Sequence, residues 1–131
     1  MLFVCELTIP AATGSDDPVE GWYPICAGTI TRVRVHWPWG AGNLAGCRIL
    51  HEEMQRWPLS MMRWFNSSTR DLEFAENYEV SADDPRLKVT AYNDDDTFAH
   101  TVTVYIEVTR RSALSQVAEL LSFGGLEVVH G

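Results

Sequence analysis

The feature that most constrains the fold is an alternation of apolar and polar residues that recurs along most of the chain. In the segment Phe98–Thr109, valine and isoleucine alternate with threonine, tyrosine and glutamate. In the segment Thr29–Trp37, the same pattern predicts that Val33 and Val35 face one side, while Ile30 faces the other side with the charged residues. Successive side chains of a β-strand point to opposite faces, so this period of two predicts half-buried strands.

Weaker versions of the pattern place the other strands, and turn-forming residues separate them. Asn93–Asp96 joins the last two long strands, and its Asn and Asp residues predict a tight hairpin turn. Gln55–Pro58 is compatible with one more short strand, whereas Leu59–Thr69 has no clear period and is interpreted as a long loop. The remaining predicted strands cover Phe3–Ile9, Val19–Cys26, Leu44–His51, Asp71–Val80 and Arg86–Tyr92.

The spacing of these strands predicts an all-β fold. About seven or eight strands follow one another at intervals of roughly 8–12 residues, which predicts an antiparallel two-sheet β-sandwich or jelly roll. The connections leave no room for crossover helices, and this excludes parallel βαβ units. We therefore expect a β-sandwich domain over residues 1–109.

The chain changes character after this domain, and a short helix is predicted. Ser112 is a favourable N-cap, and Leu114, Val117 and Leu121 follow at helical spacing before a pair of glycines. Residues 110–131 are expected to form a C-terminal helix and tail. The apolar face of this helix must be buried, either against its own sandwich or against a neighbouring subunit.

Composition argues against several classes of function. The formal net charge is −8, so we expect no nucleic-acid binding, which depends on Lys and Arg residues that neutralise phosphates. No apolar run reaches the roughly 18 residues of a transmembrane helix, and Met1–Pro10 lacks the basic start of a signal peptide. We therefore expect no membrane contact. Cys5, Cys26 and Cys47 lack metal-ligand spacing and are interpreted as buried apolar residues in a reducing compartment, with one disulfide as the alternative outside the cell.

Catalytic and metal-binding motifs do not stand out. Asp94–Asp96 is the densest local charge, and it matches a turn better than a calcium-binding loop. No serine lies in a Gly-x-Ser-x-Gly elbow. We expect no enzymatic activity and no cofactor, although a metal site built across a jelly roll could use scattered histidines. These histidines are His36, His51, His100 and His130.

Tryptophan is abundant, with 5 residues in the chain. Such rings either fill the ends of a sandwich core or form a contact surface for sugars or proteins, and both interpretations stay open. The stretch Trp57–Phe65 is apolar but aperiodic, so we expect it to contact a partner. The predicted partner-contact residues are Trp57, Met61, Met62, Trp64 and Phe65, together with Leu114, Val117 and Leu121 of the C-terminal helix.

A set of strand-and-turn motifs adds a resemblance to a known class of proteins. These motifs are Thr8-Ile9-Pro10-Ala11, the run Ile30–Pro38, the run Gly42–Ile49, the run Ala91–Thr97 and His100-Thr101-Val102. With them the chain resembles small β-sandwich proteins of tailed-bacteriophage structural gene clusters, which are auxiliary virion proteins of the capsid-decoration kind. The likeness covers about Leu7 to Val108 and leaves the C-terminal helix unmatched.

The resemblance implies a structural protein of the virion surface, made in the host cytoplasm and bound to the major capsid protein. It also implies a symmetric homo-oligomer, with a trimer favoured, and it supplies no catalytic residues. A carbohydrate-binding β-sandwich is the main alternative, because of the tryptophans and the acidic loop. A jelly-roll metalloenzyme is a third possibility.

Overall fold

The structure of the protein, a computed structural model, describes residues 1–59 and 63–110. Within these residues the chain is all-β, which confirms the predicted class. The predicted C-terminal helix lies outside the described residues. The strands are β1 (Leu2–Ile9), β2 (Val19–Pro24), β3 (Gly28–His36), β4 (Ala45–His51), β5 (Met54–Trp57), β6 (Phe65–Asn66), β7 (Asp71–Val80), β8 (Arg86–Asn93) and β9 (His100–Thr109).

The strands form two antiparallel sheets. The first sheet has the order β1-β9-β3-β7, and the second sheet has the order β2-β8-β4-β5, with the short β6 paired to β4. Every pair is antiparallel, as the sequence predicts. The edges are therefore β1 and β7 in the first sheet and β2 and β5 in the second.

A single hydrophobic core lies between the sheets and gives the fold its sandwich character. Both sheets contribute branched side chains that are almost completely removed from water, which is the main favourable contribution to folding. Trp37 and Trp57 are the largest fully buried side chains. The central part of the core consists of Val33, Val35, Ile49, Val89, Val104 and Ile106.

Strand β3 departs from the predicted alternation at its start. Ile30 is fully buried and faces the core, as Val33 and Val35 do. The cause is a β-bulge, because Ile30 pairs with Val108 while Arg32 pairs with the adjacent Glu107. One extra residue on β3 changes which face the later side chains occupy. The prediction that Ile30 shares a face with the arginines is wrong for this reason.

The connection after β8 is not the predicted hairpin, because β8 and β9 lie in different sheets. The side-chain amide of Asn93 is buried and donates hydrogen bonds to the carbonyl oxygens of Ile9 (3.2 Å), Pro10 (3.3 Å) and Phe98 (2.9 Å). The backbone of Asn93 also pairs with Thr13. These bonds fix an arch that carries the chain from one sheet to the other.

The segment between β4 and β7 contains more structure than predicted. The short strand at β5 is confirmed, and part of the predicted loop forms β6. Glu52 and Glu53 form the turn between β4 and β5 with positive φ angles of 54° and 65°.

Among the described residues, no helix is long and apolar enough to cross a membrane.

Candidate functional site

The structure describes three of the eight predicted contact residues. Trp57, Trp64 and Phe65 lie in the described part of the chain. The other five lie outside it, so their contacts stay predictions. They are Met61, Met62, Leu114, Val117 and Leu121.

Trp57 lies in the core at the end of β5, with 2% of its surface exposed. Its indole N–H donates a 2.7 Å hydrogen bond to the Glu76 carboxylate. The rings of Phe74 and Tyr78 pack against its indole. The hydrogen bond from the Trp57 indole is the main reason that the pKa of Glu76 is lowered. A second hydrogen bond, from the Asn77 backbone N–H, adds to the effect. Of the two roles left open for the tryptophans, Trp57 has the core role in this structure.

Trp64 and Phe65 are half-buried, and Phe65 packs against the core. The guanidinium of Arg48 lies 3.7 Å from the centre of the Trp64 ring, and Tyr92 meets that ring edge-on at 4.9 Å. Phe65 packs against Phe74. Trp64 is therefore held by cation–π and aromatic contacts within this chain.

The outer face of the second sheet is covered by the chain's own side chains. Lys88 is buried there although it points away from the core, and its ammonium lies 3.0 Å from Glu53 and 3.6 Å from Glu20. Trp22 covers this lysine from the neighbouring strand, at 4.9 Å from the ammonium to the ring centre. Among the described residues of this face, Lys88 is neutralised by carboxylates, while the buried Thr90 hydroxyl has no hydrogen-bond partner.

The outer face of the first sheet carries a row of exposed ion pairs. Arg32 contacts Glu73 at 2.8 Å, and Arg34 contacts Asp71 at 2.9 Å. Hydrogen bonds from His36 and Arg34 lower the pKa of Asp71, and the bond to Asp71 raises the pKa of Arg34. Because these groups are exposed, their attraction is weakened by water and salt. The ion pairs make this face polar and hold its side chains in place, but they contribute little to the free energy of folding.

Among the described residues, no strand pairs with the outer side of the first half of β1, which forms an apolar edge of the first sheet. Met1 and Val108 exchange two backbone hydrogen bonds, so the alternation of an antiparallel pair turns the N–H and C=O groups of Leu2 and Val4 away from β9. The side chains of Leu2 and Val4 are 58% and 56% exposed. Unpaired backbone groups beside exposed apolar side chains are a template for pairing with another chain.

The rest of β1 and the opposite edge of the first sheet are protected against pairing with another strand. Further along β1, the hydroxyl of Tyr23 donates a 2.7 Å hydrogen bond to the carbonyl oxygen of Glu6. The opposite edge strand, β7, presents the carboxylates of Asp71, Glu73 and Glu79. Charged side chains on an edge strand discourage pairing. Within residues 1–59 and 63–110, the open region is therefore the segment around Leu2 and Val4.

His51, Glu52 and Asp84 form a group with the composition of a metal site, since one potential ligand atom from each lies within 4.8 Å of the others. Both ring nitrogens of His51 are already engaged, Nδ1 with the Tyr78 hydroxyl and Nε2 with the Asp84 carbonyl oxygen at 2.9 Å. A carbonyl only accepts, so Nε2 carries a hydrogen, and in a neutral imidazole Nδ1 then accepts from the Tyr78 hydroxyl. Burial raises the pKa of Tyr78, which keeps this donor protonated. Through these hydrogen bonds, His51 joins the end of β4 to β7 and to the β7–β8 connection.

The acidic loop after β8 uses its carboxylates within the turn. One oxygen of Asp95 accepts hydrogen bonds from the backbone N–H groups of Thr97 (2.9 Å) and Phe98 (3.2 Å), and the other lies 2.9 Å from Nε2 of His100. These hydrogen bonds lower the pKa of Asp95, and the bond from the Thr97 backbone N–H has the largest effect. This is the behaviour of a turn-stabilising carboxylate.

The sequence predicts that all three cysteines are buried, which is confirmed for Cys5 and Cys47 and is wrong for Cys26, which is only half-buried. Burial raises the pKa of the Cys5 thiol to about 12 and also raises the pKa of the Cys47 thiol. Such thiols stay protonated at neutral pH and are weak nucleophiles. Cys26 is half-buried and packs against the core.

Sequence reasoning did not single out Leu2 and Val4. The available indication was that Val4 falls on the polar face of the first predicted strand, beside Glu6 and Thr8. An apolar residue there has no place in the core, but its position on a sheet edge depends on strand order. No protein-family model matches the chain, and a comparison with curated proteins found no match.

Proposed function

We propose that this protein is a structural subunit of a bacteriophage virion, an auxiliary protein of the capsid-decoration kind that binds the major capsid protein at the virion surface. In this proposal it is made in the host cytoplasm, acts without enzymatic activity or a cofactor, and assembles as a homo-oligomer. The strand order and the open edge of β1 support the proposal.

The observation that carries the proposal is the nesting of the strand pairs. Strand β1 pairs with β9, β2 with β8, β3 with β7, and β4 with β5. This is the pattern of one long antiparallel hairpin, and the pairs β3–β9 and β4–β8 arise when that hairpin is rolled into two sheets. We therefore propose the finer assignment of a jelly roll, the architecture of viral capsid and lectin domains and of cupins.

Because one fold serves many functions, the contact surface must support the role. The exposed Leu2 and Val4 on the open edge of β1 are suited to an assembly contact, since both backbone hydrogen bonds and apolar burial are available there. A trimer is a closed ring of head-to-tail contacts, so the β1 edge would meet a different surface of the next subunit. The predicted helix after Arg110 would add a second contact.

The experiment that tests the proposal has two measurements. Size-exclusion chromatography with light scattering is expected to give an oligomer, with a trimer favoured. Co-sedimentation with capsids built from the major capsid protein of the same gene cluster is expected to bring the protein into the pellet. A strictly monomeric protein that stays in the supernatant would refute the proposal.

A further inference from the structure

A shallow groove of about 430 Å³ lies at one end of the sandwich, between the β3–β4 and β6–β7 connections. Its size falls within the range of small-molecule sites, roughly 300–1,000 Å³. Trp39 and Arg70 form its most prominent surfaces. The groove is lined by Pro38, Trp39, Gly40, Gly42, Ser67, Ser68 and Arg70.

Trp39 is held outside the core by the backbone of this connection. Its side chain is 81% exposed, whereas Trp37, two residues earlier, is fully buried. Gly40 and Gly42 have φ angles of 103° and 57°, a region that other residues rarely adopt. The chain turns at these glycines directly after Trp39, whose indole projects into water. Exposing so large an apolar ring to water is unfavourable, and among the described residues the ring is in contact with the Arg70 guanidinium.

Arg70 fixes the orientation of this indole. Its guanidinium lies 3.6 Å from the centre of the Trp39 ring, so it covers one face of the indole and leaves the other face to solvent. A stacked guanidinium still has its N–H donors in its own plane, where an anion can accept them. The side chain is thus ordered before any ligand arrives.

The charge of Arg70 is not neutralised within the described part of the chain. Arg32, Arg34 and Arg86 each contact a carboxylate within 4 Å, whereas Arg70, like Arg48 and Arg56, contacts none among the described residues. Its Nε–H is buried and has no hydrogen-bond partner among the described residues. In a chain of net charge −8, an arginine without a carboxylate partner is a suitable site for an external anion.

The polar side of the groove offers one further free hydroxyl. The Ser67 hydroxyl is used by the fold, since it donates to the Gly42 carbonyl oxygen and accepts from the Ala45 N–H. The Ser68 hydroxyl has no such partner within the described residues. A flat aromatic face, a cation and a hydroxyl therefore lie along one groove.

We propose that this groove binds a sugar that carries a carboxylate. The apolar C–H face of the sugar ring stacks on the free face of Trp39, the carboxylate accepts hydrogen bonds from Arg70, and a ring hydroxyl bonds to Ser68. The aromatic face selects a ring, and the arginine selects an acid over a neutral sugar. This site is independent of the proposed capsid contact. A failure to bind sugars would therefore not count against the proposed structural role.

The test compares acidic sugars with their neutral counterparts by isothermal titration calorimetry. The pairs are 3′-sialyllactose with lactose, and trigalacturonic acid with its methyl ester. We expect saturable binding of at least one acidic sugar, and binding of its neutral counterpart that is about tenfold weaker or more. If neither acidic sugar shows saturable binding, or if acid and neutral forms bind equally, the proposal is wrong.

Three variants locate the site. Trp39→Ala is expected to abolish binding, and Arg70→Gln is expected to remove the preference for the acid. Trp22→Ala is the matched control, because Trp22 is also exposed and has a guanidinium, that of Arg86, 4.4 Å from its ring centre. This control is expected to bind like the wild type. Unchanged affinity in a folded Trp39→Ala variant, or an equal loss in Trp22→Ala, would overturn the assignment.

Discussion

At the scale of single residues, the tryptophans of this protein differ in what their indoles contact. Trp57 is buried and donates a hydrogen bond to Glu76, whereas Trp39 projects into water beside Arg70. Both residues are tryptophans next to a proline, so local hydropathy does not distinguish them. Their environments are decided by a partner on β7 in one case and by two glycines in the other.

Replacing Trp57 by phenylalanine is expected to lower the free energy of unfolding by about 2 kcal/mol, because the change leaves a cavity and removes a hydrogen bond to a charged group. Urea unfolding followed by circular dichroism measures this loss. The matched control is Trp39→Phe at the exposed position, which is expected to change stability by no more than about 0.5 kcal/mol. Equal effects of the two changes would contradict the core role of Trp57.

Glu76 makes the stability of the fold dependent on pH. Because the folded protein lowers the pKa of Glu76, this carboxylate stabilises the fold fully above its unfolded pKa. The contribution is lost as the pH falls through the folded pKa. Glu76→Gln, which keeps an acceptor but removes the charge, is expected to be less stable than wild type at pH 7 and to lose less stability on acidification. Parallel pH profiles of the two proteins would refute this linkage.

At the scale of elements, the strands were predictable and their partners were not. Period-two alternation depends only on which face of a strand meets the core, so it located β3, β7, β8 and β9 closely. The bulge near Ile30 was invisible, because an extra residue changes the face of a side chain without changing the local composition. The arch at Asn93 was mistaken for a hairpin because Asn and Asp serve both kinds of turn.

The arch gives a prediction about Asn93 itself. Asn93→Asp preserves the shape but replaces the amide donor by an oxygen that faces the three carbonyl groups. We expect a loss of about 3 kcal/mol or more, since a buried charge would lie among acceptors. Thermal unfolding measures the effect. Asp94→Asn, on the exposed neighbouring residue, is the control and is expected to be close to wild type.

At the scale of the whole molecule, the predicted all-β class and the two antiparallel sheets are confirmed, while the candidate contact surface came only from the structure. The predicted set emphasised the stretch from Trp57 to Phe65, where the described tryptophans are held by the chain's own side chains. The open edge around Leu2 and Val4 could not be inferred locally. It depends on β1 being an outer strand, which is a property of the complete topology.

Val4→Lys is expected to convert the proposed oligomer into a monomer, because it places a charge on the edge of β1. Light scattering across a range of concentrations measures the change, and the circular dichroism spectrum should stay that of the wild type because Val4 is outside the core. Thr8→Lys is the control on the same face of β1, beyond the position where Tyr23 caps the backbone. An oligomer that survives Val4→Lys would exclude this edge as the contact.

The nesting of β1 with β9 has a consequence for how the protein emerges from the ribosome. Ile9 pairs with His100, so the first strand has no partner in its sheet until nearly all of the domain has been translated. At roughly 5–20 residues per second, that wait lasts on the order of 5–20 s. During this time the apolar side chains of β1 are available to a chaperone or to a neighbouring nascent chain. We expect the yield of soluble protein to depend on translation rate and chaperone supply more than on the final stability.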